Sequence, residues 1–203
     1  MEEVYKYKTI AGPAYAEFRD RGSKFLAYAY PITTLQDVKD TLQALKKEHP
    51  KAVHHCLAFR LGTDGTQYRA SDDGEPSGSA GKPMLGQIDS AGLTNVLVVV
   101  VRYFGGTLLG VPGLINAYKT ATADALASVG TTEKWMEAQY EISFDYPVMG
   151  EVLYLLKQGE ATIYKQDLQL FCLIHAGLPL KFKDACLQKL SEIRGVKVEH
   201  INT

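Results

Sequence analysis

Between Ser71 and Lys82 the chain reads SDDGEPSGSAGK, and its side chains are of the kinds that bind ions or move protons. Asp72, Asp73 and Glu75 could together hold a hard cation such as magnesium, which takes a few carboxylates plus water. The same loop supports a second chemistry. Backbone amides from Ser77 and Gly78 to Gly81 could cradle an anion, with Lys82 supplying positive charge. It is not a Walker loop, because the spacing GxxxxGK followed by Ser or Thr is missing. A third reading is a polar surface loop whose acids are simply solvated.

Arg102 stands near the end of an apolar run, just before Tyr103, Phe104 and the pair Gly105–Gly106. At a strand end a guanidinium can fork onto a phosphate or carboxylate. It can equally pair with Asp72 or Asp73 and fix the loop without any ligand. Gly110 and Gly113 open the following segment, where helix amides offer a second anion site or merely a tight strand-to-helix turn. His54 and His55 are adjacent in a strand-like segment, so they point to opposite faces and do not readily chelate one metal. His54 shares a face with Cys56, a weak hint of a base beside a nucleophile. His55 shares its face with Leu57 and Phe59, as a core histidine would.

The elements that must position these groups form two α/β halves. Tyr15–Arg19 and Lys24–Pro31 read as a hairpin turning at Asp20–Ser23. Leu35, Val38, Leu42 and Leu45 mark one face of a helix that stops before Pro50. Val53–Leu61 and Thr66–Ala70 read as strands, and Val96–Phe104, apolar on both faces, as a central one. Leu114, Tyr118, Ala121, Ala125 and Val129 make a helix stripe that Gly130 ends. Residues 130–137 read as a link. Beyond them come a strand at Ala138–Tyr146, a helix through Val148, Val152, Leu155 and Leu156, and strands at Ala161–Lys165 and Gln169–His175. A helix opening near Pro179 and a last strand at Val196–Ile201 complete a βαββαβ order, the ferredoxin-like arrangement. Trp135 is expected to pack at the domain junction.

Composition bounds the function classes. The 203 residues carry 22 basic and 23 acidic side chains, a formal net charge of −1, which argues against a broad electrostatic grip on nucleic acid. A local basic patch remains open. Cys56, Cys172 and Cys186 are odd in number, widely spaced and set in apolar segments, so they read as small buried hydrophobes. No apolar run approaches the roughly 20 residues that span a bilayer, and no signal-peptide pattern opens the chain, so a cytoplasmic protein is expected.

The segments SDDGEPSGSAGKP and VVVVRYFGGTLLG, flanked by HHCLAFRLG and GLINAY, strongly resemble the IMPACT/YigZ family. The resemblance covers about residues 15–130, and the remaining third is similar to the ferredoxin-like C-terminal domain of bacterial members. It implies an α+β protein of two domains. Residues 1–132 take the fold of the second domain of a ribosomal small-subunit protein, and residues 137–203 the ferredoxin-like fold. It implies a non-enzymatic binding or regulatory protein linked to translation or stress, with RNA, ribosome or protein as partner and neither cofactor nor membrane. Eukaryotic relatives regulate translation through partner proteins. A hydrolase or phosphate-handling enzyme using Asp72, Asp73, Glu75, Lys82 and Arg102 is the alternative. Carried onto this chain, the ligand-binding positions are His54, His55, Ser71, Asp72, Asp73, Glu75, Ser77, Gly78, Lys82, Arg102, Tyr103, Gly105 and Gly106, with no metal site and no assigned catalytic residue. One departure stands out: where relatives often read GAGGLVRAY, this chain has GVPGLINAY, so the helix start lacks an arginine.

Overall fold

The computed structural model describes residues 5–201. It divides the chain into two compact units. One is Tyr7–Lys134, and the other is built on Trp135 and the residues after it, together with Tyr5 and Lys6. No helix among the described residues is long and apolar enough to cross a membrane.

The first unit centres on a five-stranded antiparallel sheet. A hairpin of β2 (Ala14–Asp20) and β3 (Ser23–Pro31) turns through Arg21 and Gly22, both at positive φ. β3 then lies against β6 (Val96–Tyr103), and β6 against β4 (His54–Leu61), whose other neighbour is β5 (Gln67–Ser71). The order is β2-β3-β6-β4-β5. Every residue of β6 from Val96 to Arg102 is buried, which explains its continuous apolar run: helices cover the sheet on both sides. On one face, α2 (Gly81–Ser90) and α3 (Gly110–Val129) close a core of Phe25, Cys56, Met84, Ile88, Val98, Val100 and Tyr118. On the other, α1 (Leu35–Glu48) seals Leu57, Phe59, Val99 and Val101. Its start is fixed by a capping box between Thr34 and Asp37.

The second unit is a four-stranded antiparallel sheet in the order β11-β8-β10-β9, with strands β8 (Glu137–Asp145), β9 (Thr162–Leu168), β10 (Phe171–Pro179) and β11 (Lys197–His200). Helices α4 (Met149–Gln158) and α5 (Lys183–Glu192) bury Val152, Leu156, Cys186 and Leu190 against Ile142, Phe144, Ile174 and Leu178. This is the expected ferredoxin-like topology.

At three points the fold departs from the local sequence pattern. Pro179 ends a strand, and the helix opens at Lys183. Residues 130–137 hold the break between the two units, at Lys134/Trp135, but they are not coil. Thr131–Trp135 is a strand, β7, paired with the unforeseen β1 (Lys6–Ile10), and β8 starts at Glu137. Helix α2 was also unforeseen, because Gly81, Pro83 and Gly86 lower helix propensity and only Met84 and Ile88 mark a face. Trp135 meets Phe182 edge-on within its own unit and donates to Glu160 Oε2 at 2.9 Å.

Candidate functional site

The Ser71–Gly81 loop folds around its own acids. Asp72 Oδ1 accepts from the amides of Ala80 (3.0 Å) and Gly81 (2.8 Å), and its Oδ2 from Gly78 (2.8 Å). Burial works to raise the Asp72 carboxyl, and the amides of Gly78, Gly81 and Ala80 outweigh it, holding the group below its ordinary value. The amide cradle expected for an external anion is therefore filled by Asp72. Asp73, at positive φ, accepts the His55 amide at 2.7 Å and lies 4.0 Å from Lys46. Glu75 turns inward. The cation reading of the three acids is thus corrected: each answers a different neighbour, and among the described residues no group of three His, Cys, Asp or Glu side chains could hold a metal.

Arg102 does not pair with Asp72 or Asp73. Its Nη1 donates to Glu75 Oε1 at 2.6 Å, in a pair whose side chains are 7% and 3% exposed. Tyr118 Oη donates to the same Oε1 at 2.8 Å, and Cys56 Sγ lies 3.3 Å from Tyr118 Oη. The guanidinium sits over the rings of Phe25 and Phe104. His54 Nδ1 is 2.7 Å from the Asp73 carbonyl, so Nδ1 carries the proton and Nε2 looks toward Glu75 Oε1, 3.8 Å away. Burial pushes the Cys56 thiol up to about 12, which removes it as a nucleophile beside His54.

Above this network lies an open pocket of about 430 Å³. His54, Glu75 and Arg102 form its polar end, and Val53, Phe104, Leu109, Val111 and Leu114 are among its apolar walls. Helix α3 has a glycine at its first position, Gly110 (φ +68°), and no side chain caps it. The loop before it is held from the hairpin: Arg21 Nη2 donates to the Leu109 carbonyl at 3.1 Å. Gly105 approaches the Gly22 backbone so closely that no Cβ fits, and its amide donates to Ser23 Oγ at 3.1 Å.

Of the positions expected to bind a ligand, the fold brings His54, Glu75 and Arg102 to one pocket, with Asp72, Asp73 and Gly78 holding the loop behind them. Gly105 lies against the β2–β3 turn, outside the pocket lining, and Gly106 continues the chain at φ +85°. Ser71 ends β5, while Ser77 and Lys82 are exposed. His55 and Tyr103 belong to the opposite face of the sheet. Tyr103 Oη meets His49 Nδ1 at 3.0 Å, and burial lowers the pKa of His55. Three contributors escaped the sequence reading. Tyr118 had a signal, a hydroxyl on an otherwise apolar helix stripe, which must find a partner when buried. Leu108 and Arg21 had none.

Fold and site together define a two-domain α+β protein whose first domain carries an apolar pocket over a buried ion pair. The Impact N-terminal domain matches residues 21–126. IMPACT family member YigZ of Escherichia coli is 37% identical over 159 residues, covering 77% of this chain and 78% of that protein. A Thermus thermophilus IMPACT family member is 41% identical over 137 residues, 66% of this chain and 72% of its own length. A solved crystal structure described as that of a hypothetical protein superposes with a TM-score of 0.73 at 31% identity, over 98% of this chain and 99% of that one. The chain belongs to the IMPACT family.

Proposed function

We propose that this chain is a non-enzymatic binding and regulatory protein, acting in translation or stress regulation through RNA, a ribosome or a protein, and that it meets its partner at the pocket above Arg102 and Glu75. The observation that carries the reading is an accessible apolar cavity whose two charged groups neutralise each other. A pocket of that kind is a place where a partner can be held. The groups that chemistry would call on are otherwise engaged. Asp72 holds three amides, and the Cys56 thiol is protonated and buried. That counts against the hydrolase or phosphate-handling alternative. The link to translation rests on membership of the family.

The test is a cell-free translation reaction, run beside co-sedimentation with ribosomes and titration with structured RNA. Wild-type protein is expected to alter translation yield, and Leu108→Asp at the pocket mouth is expected to abolish the effect. Equal effects of the two proteins, or no effect of either, would sink the reading. Turnover in a substrate screen with and without magnesium, lost on Asp72→Asn, would establish the enzyme instead.

A further inference from the structure

We infer that the occupant of this pocket is a short apolar segment of a partner polypeptide, which lays an amide group on the Arg102–Glu75 pair. The inference rests on the pocket reading above and adds the chemistry of what binds.

The pocket floor is under-satisfied on both sides of the pair. A guanidinium carries five N–H donors, yet among the described residues only Glu75 Oε1 accepts a hydrogen bond from Arg102. Among the described residues Arg102 Nε is buried with no hydrogen-bond partner. Both hydrogen bonds to Glu75 land on Oε1, and Oε2 receives none among the described residues. His54, with its proton fixed on Nδ1 by the Asp73 carbonyl, adds a lone pair at Nε2. The floor therefore presents donors and acceptors side by side with no net charge. A planar amide matches this, its carbonyl taking an Arg102 N–H and its N–H reaching Glu75 or His54. A phosphate or a free carboxylate would meet Glu75 as well as Arg102, and so matches less well.

The rim decides what carries the amide. Leu108 is 82% exposed, and Val53, Phe104, Val111 and Ile115 are exposed beside it. Ile115 follows Val111 by one turn of α3 and lies outside the pocket lining, so the apolar surface runs on past the cavity. An exposed apolar surface that outruns the cavity is one mark of a protein-binding site. Nucleic acid is disfavoured because affinity for it comes from phosphate contacts. Arg102 is the one arginine or lysine in the lining, and it is buried and paired.

The test pans random peptides of roughly twelve residues, displayed on phage, against the intact chain. Selected peptides are then synthesised and titrated by fluorescence polarisation beside a single-stranded RNA of similar length and free benzamide. The expected peptides carry a bulky apolar residue with a neutral amide neighbour. Their Kd should change less than about twofold between low and physiological salt, since no exposed ion pair is involved. Leu108→Asp, a substitution at an exposed position that leaves the core intact, should weaken them at least about tenfold, as should Val111→Asp. Arg102→Lys, which keeps the charge and removes the fork, should weaken them as well.

Failure to select any peptide sensitive to Leu108→Asp overturns the inference. RNA binding lost in Leu108→Asp also overturns it but leaves the pocket reading standing. Benzamide binding as tightly as the peptides would make the site one for small molecules and overturn it too. If Leu108→Asp changes neither binding nor translation yield, the pocket reading falls with it.

Discussion

Asp72 closes the Ser71–Gly81 loop with two oxygens and three amides. Asp72→Ala leaves those half-buried donors without their acceptor and should destabilise the first domain by about 2 kcal/mol or more in a urea titration. Asp72→Asn keeps an oxygen for Ala80 and Gly81 but turns an amide toward the Gly78 N–H, so a smaller loss of about 1–2 kcal/mol is expected. Titration separates two residues with depressed pKa values. For Asp72 the folded state binds the proton less readily than the unfolded chain. Its contribution is complete above the unfolded carboxylate value near 3.9 and fades as pH falls below it. For His55 burial disfavours the charged imidazolium, so its contribution is complete above about pH 6.5 and fades as pH drops toward the lower folded value. The first domain should therefore lose stability in two stages on acidification. His55→Gln should remove the upper stage and leave the lower one. A single stage, unchanged by His55→Gln, would show that the imidazole does not carry the effect.

At the scale of elements, glycine has opposite meanings in two places. A Cβ on Gly105 would collide with Gly22 and Ser23 across the β2–β3 turn, so Gly105→Ala should cost about 3 kcal/mol and disturb the loop that precedes α3. A Cβ on Gly86, inside α2, meets nothing within 4 Å. Gly86→Ala should stabilise the domain by about 0.5–1 kcal/mol, read in the same urea titration. Sequence alone does not separate these two glycines, because the difference lies in a backbone approach between segments 83 residues apart. The same limit explains which elements were legible. The α1 and α3 stripes, the β2–β3 hairpin and the apolar β6 announce themselves through local period and turn chemistry. Helix α2 and the β1–β7 pair do not, since glycine and proline dilute the first and the second joins two distant, short, polar strands. At the site, the charged residues were visible but their partners were not. Arg102, whose type and place fit either a fork onto a ligand or a pair with Asp72 or Asp73, meets Glu75, because Asp72 is drawn to the amides that begin α2 and Glu75 is the acid left facing β6.

Across the whole molecule, the buried residues form three clusters, two on opposite faces of the first unit's sheet and one in the second unit. Phe25, Val98, Tyr118 and their neighbours belong to one unit, and Ile142, Ile174, Leu190 and theirs to the other. Each unit packs its own helices on its own sheet, so each unit can lose its packing while the other keeps it. Calorimetry of the intact chain should resolve two transitions. Leu190→Ala, which opens a cavity in the second unit, should cost about 2–5 kcal/mol and lower one transition alone. Ile88→Val, a milder loss in the first unit, should cost about 1 kcal/mol and lower the other. If the peptide site lies wholly within the first unit, as its lining residues do, Leu190→Ala should leave peptide affinity unchanged at temperatures below both transitions. A single transition that moves with both substitutions would mean that the units unfold as one, and that a change in the ferredoxin-like half reaches the pocket.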